Sequence, residues 1–319
     1  MGKVHGQKSP AGTGAQKKGG FERFSVCGAA KGYLPVVDFA KGLAIIGVLL
    51  LHFFTETKAQ LSGFWLSFHE AGMPVLNLAV PAFVFLMAFN MAYALGIKPR
   101  SLVQYFKGRA LRLLPAFLVA FFASLFFGIL LGLPLNFGMQ QAVGYFPVPG
   151  AGNYFIPLVF QFAILFPGML WLYRRSRICS LGLFFALDII FEAGNIWGFG
   201  PAVVVYQYCI ARFLALVWIG FFLSEKFSGG SRAVAGLASS LPLKVLALFG
   251  IASYHIFLVQ IVFFSAIGNA IGFTAADKVL LSLAIGILFY YANKMLLGWG
   301  TAKGRDALPG RAAKRWAVQ

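Results

Sequence analysis

Long apolar segments recur along most of the chain, and they constrain its fold more than any other feature of the sequence. A helix rises about 1.5 Å per residue, so roughly 20 apolar residues are needed to cross about 30 Å of hydrocarbon. Eight segments meet this requirement, near 34–54, 74–97, 113–133, 153–173, 178–197, 200–223, 242–268 and 279–298. The sequence therefore predicts an all-α fold, a polytopic transmembrane helical bundle with about eight spans and at most ten.

The distribution of basic residues predicts the orientation of these spans. The chain has 27 Lys and Arg but only 9 Asp and Glu, and a formal charge of +18 would suggest nucleic-acid binding in a soluble protein. With eight spans and a cytosolic N-terminus, 22 of the 27 basic residues fall in inner segments and only Lys58 and Lys278 in outer loops. Inner loops of membrane proteins carry this excess. We therefore predict that both termini are cytosolic, and no nucleic-acid partner is needed to explain the charge.

The composition divides the chain into three regions. Residues 1–32 are rich in Gly, Lys, Ser and Ala and lack the apolar core of a signal peptide, so we predict a disordered, basic cytosolic tail. Residues 33–300 form the predicted transmembrane domain, and 301–319 a second basic cytosolic tail. The three cysteines lie at wide, unrelated spacings, which indicates neither a disulfide framework nor a metal site.

The first apolar segment, VVDFAKGLAIIGVLLLHFF, carries three ionisable residues: Asp38, Lys41 and His52. Eleven residues are almost three helical turns, so Lys41 and His52 share one face of a helix at about 16 Å along its axis. Asp38 shares that face and is able to pair with Lys41 at the membrane boundary, so a structural and a functional role are equally compatible with these two residues. An ionisable group inside a span is costly, which makes His52 a functional candidate. Glu56 follows His52 by one turn and is expected to reach its ring.

A basic residue followed by ten residues and a histidine is the first-helix pattern of the membrane-bound acyltransferase 3 family, which this chain resembles. The segment also contains Asp38, Lys41 and Gly42 in the spacing D..KG, which is similar to a sugar O-acetylase-like branch. The resemblance continues in order through four further segments, at 80–92, 106–119, 153–167 and 249–260.

Three positions depart from the family pattern. Met87-Ala88-Phe89 replaces the usual Ser-Gly after the aromatic run of the second helix, and Lys41 replaces the more common Arg. Gln260 ends the late segment where many relatives have His. The first two departures are compatible with variation within the branch. The third leaves room for a different acceptor or for a catalytically silent relative.

The resemblance implies transfer of an acyl group, usually acetyl, from cytosolic acyl-CoA to a hydroxyl of a glycan or related acceptor across the membrane. A neutral imidazole is suited to take the proton of that hydroxyl, so His52 is the predicted general base. Glu56 is expected to orient its ring, and Asp38 is the third residue of the predicted catalytic set. A covalent acyl-histidine intermediate remains an alternative.

CoA carries several phosphates, which cations recognise by charge-assisted hydrogen bonds. The basic segment after the second span supplies Lys98, Arg100, Lys107, Arg109 and Arg112. Of these, we predict that Lys107, Arg109 and Arg112 bind acyl-CoA together with Lys41. Any inner loop would be basic, so this assignment depends on the family-like GRALRLLP motif. Acyl-CoA is expected as a co-substrate rather than as a permanently bound cofactor, and no metal is expected.

Further polar residues in the spans are candidates for a substrate cavity. Asp188 and Arg212 fall near the middle of adjacent predicted spans and are expected to form a buried ion pair, which is compatible with a purely structural role. Of the neighbours Tyr254 and His255, the resemblance favours the tyrosine. The predicted cavity residues are Asn90, Gln161, Asp188, Arg212 and Tyr254.

The chief alternative function is a transporter or flippase for an anionic or lipid-linked substrate, because intramembrane ionisable residues also mark permeation pathways. Such transporters often have matched broken helices in two halves, and no such repeat is evident here. We therefore favour an integral-membrane acyltransferase in the plasma membrane, the cytoplasmic membrane of a bacterium. The expected partners are acyl-CoA, a glycan or other hydroxyl acceptor and the lipid bilayer, and a homo-oligomer is compatible with the sequence.

Overall fold

The structure is a computed structural model that describes residues 34–97, 99–198, 209–227 and 241–306. These residues form helices and loops without a β-strand, apart from an isolated bridge between Gly150 and Ser265. The predicted all-α fold is therefore confirmed. The predicted N-terminal tail and residues 307–319 of the predicted C-terminal tail lie outside the described part of the chain.

Eleven α-helices lie in the described residues. They are α1 (Pro35–Thr57), α2 (Phe64–Leu76), α3 (Ala79–Ile97), α4 (Leu102–Leu130), α5 (Met139–Ala142), α6 (Phe155–Arg175), α7 (Arg177–Ile196), α8 (Leu214–Lys226), α9 (Leu241–Phe263), α10 (Ala266–Ile271) and α11 (Ala275–Asp306).

Seven helical segments of the described residues are long and apolar enough to cross a membrane. They comprise α1 with the turn that follows it, α2 with α3, and α4, α6, α7, α9 and the first part of α11. The predicted window 200–223 falls partly on residues 199–208, outside the description, and its remainder forms a 3₁₀ turn at Ile210–Phe213 and most of α8. The count of eight spans and the cytosolic placement of both termini stay predictions.

Helix α4 begins well before the predicted span at 113. The side chain of Ser101 accepts a hydrogen bond from the backbone N–H of Gln104, and the side chain of Gln104 accepts one from the N–H of Ser101. This reciprocal cap satisfies two backbone donors at the helix start. The basic residues that follow are consequently held on the first turns of a helix rather than in a loop, which corrects the predicted inner loop.

Helices α1 and α9 run parallel in close contact along the middle of the bundle. A Cβ atom on Gly42 would overlap the backbone carbonyl of Leu246, and one on Gly250 would overlap that of Asp38. The two glycines therefore allow the helix backbones to touch, as small residues do in membrane helix pairs. This packing places the second half of α9 beside the second half of α1, where His52 lies.

The loop that precedes α6 closes over the same end of α1 and α9. The backbone N–H of Ala151 donates to the carbonyl of Phe264 at 2.9 Å. The side chain of buried Asn153 accepts from the N–H of Phe146 at 2.8 Å. These bonds fix the backbone of the loop, which contributes one wall of the site described next.

Candidate active site

Helix α1 carries ionisable residues at both of its ends. Asp38 and Lys41 form an ion pair of 3.5 Å, with little exposure of either side chain. His52 lies eleven residues beyond Lys41, about 16 Å further along the helix axis. We call the two regions the Lys41 end and the His52 end of the bundle.

The Lys41 end collects cations from two helices. Arg109 and Arg112 on α4 both interact electrostatically with Lys41. The guanidinium of Arg109 lies 5.8 Å from the centre of the Tyr105 ring, while Arg112 is exposed. Three cations face one carboxylate here, so the region carries a net positive charge that suits an anionic ligand.

Two further basic residues of α4 and its cap lie near this cluster in sequence. Lys107 is exposed, and no contact with Lys41 is recorded for it in the described residues. Arg100, in contrast, interacts electrostatically with Arg109 and Arg112 and extends over Gly108. Arg100 belongs to the basic segment that the sequence analysis considered for the phosphates, although it was not among the four predicted ligands, and the cap of α4 places it beside the cluster.

The His52 end brings together side chains and backbone from three segments. The ring of His52 lies 5.7 Å from that of Phe264, between their centres. A Cβ atom on Gly152 would lie 3.3 Å from Nε2 of His52 and 3.6 Å from Oε1 of Gln260. His52 Nε2 and Gln260 Oε1 thus face the same small space beside Gly152, which has a positive φ of 78°.

Glu56 has a different partner from the one expected. Its carboxylate forms an ion pair with Lys278 at the start of α11, and Asn269 accepts a second hydrogen bond from the same ammonium group. Lys278 is only 1% exposed, and its ammonium lies 5.7 Å from the centre of the Phe264 ring. The structure records no hydrogen bond between Glu56 and His52 within the described residues.

Lys278 is a candidate functional residue that the sequence analysis missed. The sequence shows it as a lone lysine at the start of an apolar segment, which is typical of a membrane boundary. Only the packing of α11 against α1 and α10 reveals that it is buried. Through Phe264 it lies next to His52, so it contributes to the surroundings of the candidate base.

Tyr254 joins α9 to α4 near the middle of α9. Its hydroxyl donates to the carbonyl of Leu113 on α4 at 3.1 Å. The neighbouring His255 is buried toward α11, where Nε2 lies 3.0 Å from Nδ2 of Asn293. The two adjacent residues thus point to different helices, as expected from helix geometry.

The remaining predicted cavity residues lie on α3, α6, α7 and the turn before α8. Arg212 forms an ion pair of 3.8 Å with Glu192, and Asp188 accepts a hydrogen bond from the backbone N–H of Ala215. Gln161 accepts one from the N–H of Ile210. These bonds join α6 and α7 to the start of α8, which is compatible with a structural role. Asn90, half-buried in α3, has no hydrogen-bond partner among the described residues.

Tyr154 connects this group to the loop at the His52 end. Burial raises the pKa of its phenol, and the positive charge of Arg212 opposes that shift. The phenol therefore stays neutral at physiological pH. As a neutral hydroxyl beside an arginine, it is suited to hydrogen bonding rather than to proton removal.

Among the described residues, no group of three or more His, Cys, Asp and Glu side chains is close enough to hold a metal ion. At the His52 end, the candidate acid–base group is the imidazole of His52. Its Nε2 lies beside Gly152, and a positioned imidazole within hydrogen-bond reach of a hydroxyl is able to serve as a base.

Comparison with known proteins identifies the family of the chain. The family model for an acyltransferase domain, that of the acyltransferase 3 family, matches residues 34–300. No curated protein and no solved structure matches the chain. The resemblance seen in the sequence is confirmed, while the sugar O-acetylase-like branch stays a prediction. The chain belongs to the acyltransferase 3 family, membrane proteins built from apolar helices whose general activity is acyl transfer.

Proposed function

We propose that this protein transfers an acyl group, usually acetyl, from acyl-CoA to a hydroxyl of a glycan or related acceptor. The observation that carries the proposal is the placement of a cation cluster and a histidine at opposite ends of one helix, α1. The family supports acyl transfer, and the chemistry of the two ends supports the donor and acceptor named here.

The donor is assigned to the Lys41 end because CoA carries several phosphates. Lys41, Arg109 and Arg112 supply cations from two helices, with Arg100 beside them. The long pantetheine arm of CoA separates its phosphates from its thioester. The separation of about 16 Å between Lys41 and His52 along α1 suits such an extended donor.

The acceptor is assigned to the His52 end. His52 Nε2 takes the proton from the acceptor hydroxyl as its oxygen attacks the thioester carbonyl. The carbon–sulfur bond then breaks, the CoA thiolate leaves, and the imidazolium returns its proton to the sulfur. An ester and free CoA are the products, and no further reactant is required.

The predicted orientation assigns each end of the bundle to one side of the membrane. With a cytosolic N-terminus, the Lys41 end lies near the cytosol, where acyl-CoA is present, and the His52 end lies near the outer face. The protein would then modify acceptors outside the plasma membrane with a donor from inside it. Acyl-CoA acts as a co-substrate in this scheme.

Acyl transfer from ¹⁴C-acetyl-CoA in proteoliposomes that contain the cell's own envelope glycans tests the proposal. We expect His52→Ala to lower the rate by about 10²- to 10⁴-fold, as for a lost acid–base group. His69→Gln is the matched control, because His69 is also a buried histidine but lies on α2. Full transfer by a folded His52→Ala protein would reject the mechanism, and transport of a glycan without labelling would favour the transporter alternative.

A further inference from the structure

The amide of Gln260 is held in one orientation at the His52 end. Gln260 is fully buried on α9, and its Nε2 donates to the carbonyl oxygen of Ala151 at 3.2 Å. A carbonyl oxygen only accepts hydrogen bonds, so the reversed amide would place two acceptors against each other. Oε1 of Gln260 must therefore point away from Ala151.

This oxygen has no hydrogen-bond partner among the described residues. A buried carbonyl without a partner is energetically costly, so such groups are usually satisfied or reserved for a ligand. Here the oxygen faces the space beside Gly152, 3.6 Å from the position that a Cβ would occupy there. His52 Nε2 lies 3.3 Å from the same position.

The chain leaves this space open through its backbone. A Cβ at residue 152 would fill the gap between the imidazole and the amide, and would also touch Phe257 at 3.2 Å. The positive φ of Gly152 also disfavours any side chain. The bond between Ala151 and Phe264 holds the loop, and so keeps Gly152 beside the two polar atoms.

Two hydrogen-bond acceptors converge on this one space. When His52 acts as a base, its Nε2 accepts the proton of the reacting hydroxyl, and Gln260 Oε1 accepts a different one. A single hydroxyl has only one proton, so it satisfies only one of the two atoms. A ligand that satisfies both atoms carries a second hydrogen-bond donor on the carbon adjacent to the one that bears the reacting hydroxyl.

We propose that Gln260 is a specificity-determining residue. It selects acceptors in which the carbon adjacent to the one bearing the acylated hydroxyl carries a second hydrogen-bond donor, either a hydroxyl or an amide N–H. Vicinal diols and hydroxyls beside an acylamino group are the acceptor chemistries of this class. The inference rests on the proposed role of His52 as the base. It assigns to Gln260 the recognition of the donor that neighbours the acylated hydroxyl.

Protection of His52 from diethyl pyrocarbonate tests this inference without acyl-CoA. The probes are trans-1,2-cyclohexanediol and trans-1,4-cyclohexanediol, which have the same composition but differ in the spacing of their hydroxyls. Peptide mass spectrometry of the full-length protein measures modification of His52, with an added histidine-containing peptide as the internal reference for reagent activity. We expect the 1,2-diol to protect His52 at about three- to tenfold lower concentration, the effect of one additional neutral hydrogen bond.

The variant Gln260→Met keeps the size of the side chain and removes its acceptor oxygen. We expect the two diols to protect this variant equally, while Gln260→Glu, which keeps an acceptor, retains a preference for the 1,2-diol. Equal protection of the wild-type protein by both diols, or an undiminished preference in Gln260→Met, would overturn the inference. Failure of the proposed acyl transfer is detected separately, by the transfer assay with His52→Ala.

Discussion

The ammonium group of Lys278, on the last helix, bonds to the carboxylate of Glu56, one turn after His52 on the first helix. Asn269 accepts a second hydrogen bond from Lys278, and the Phe264 ring separates this ammonium from the imidazole of His52. The pair thus joins α1, α10 and α11 beside the candidate base. The structure of the His52 end therefore depends on residues that are distant from His52 in sequence.

We expect Lys278→Met to destabilise the protein. The substitution leaves Glu56 without its cation, although the carboxylate retains some exposure to solvent, so the loss should be about 1–3 kcal/mol and below that of a fully buried pair. The double variant Lys278→Met with Glu56→Leu should recover most of the stability, because no unpaired charge remains. Thermal unfolding in detergent measures both, and a double variant as unstable as the single one would contradict a charge-pair role.

We expect Gly250→Ala to disrupt the contact between α1 and α9. The added methyl group would overlap the backbone carbonyl of Asp38, so the helices must separate at a cost of about 1–3 kcal/mol. Gly168→Ala on α6 is the matched control, because nothing lies within 4 Å of its added Cβ. It should be neutral or stabilising by at most about 1 kcal/mol. Equal melting temperatures for the two variants would show that the close approach is unimportant.

We expect the double variant Arg109→Gln with Arg112→Gln to weaken binding of CoA by about 10²-fold, since two charge-assisted contacts are lost. Lys107→Gln, on the same helix but exposed, should have a smaller effect. Isothermal titration calorimetry with CoA at two salt concentrations measures both effects. Raised salt should weaken CoA binding to the wild-type protein more than CoA binding to the double variant. Unchanged affinity in the double variant would assign the donor site elsewhere.

We expect Lys41→Ala to raise the apparent KM for the acyl donor, with a smaller effect on the maximal rate. Lys41 is too far from His52 along α1 to contact the same reacting atom, and its surroundings on α4 are cationic. Lys41→Arg should largely restore the wild-type KM, because it keeps the positive charge. Steady-state transfer at varied acetyl-CoA concentration checks this, and a pure loss of rate at constant donor affinity would assign Lys41 to the chemical step.

We expect reporter fusions at residues 145 and 272 to lie outside the cell and fusions at 105 and 310 to lie in the cytosol. The reason is the excess of basic residues in the predicted inner segments. Alkaline phosphatase and green fluorescent protein fusions give opposite signals on the two sides. Identical signals at 145 and 105 would contradict the orientation used in the proposed function.

The apolar windows by themselves determined the helical class, and the spacing of Lys41 and His52 determined that both residues lie on α1. Hydrophobic length and helical period are local properties, so they survive in the sequence without knowledge of the fold. The motif around Arg109 and Arg112 likewise identified residues that the structure places near Lys41. The start of α4 was misplaced because basic residues lowered the local hydropathy, whereas the Ser101 cap extends the helix through them.

Only the tertiary structure decided which distant groups meet at the His52 end. Glu56 is one turn from His52 in sequence, yet its carboxylate bonds to Lys278, more than 200 residues away, because packing of the last helix buries an ammonium group that needs an anion. Gln260 was visible only as a departure from the family pattern. Its unpaired oxygen beside His52 results from the parallel packing of α1 and α9 and from the loop at Gly152, and neither is encoded in a local pattern.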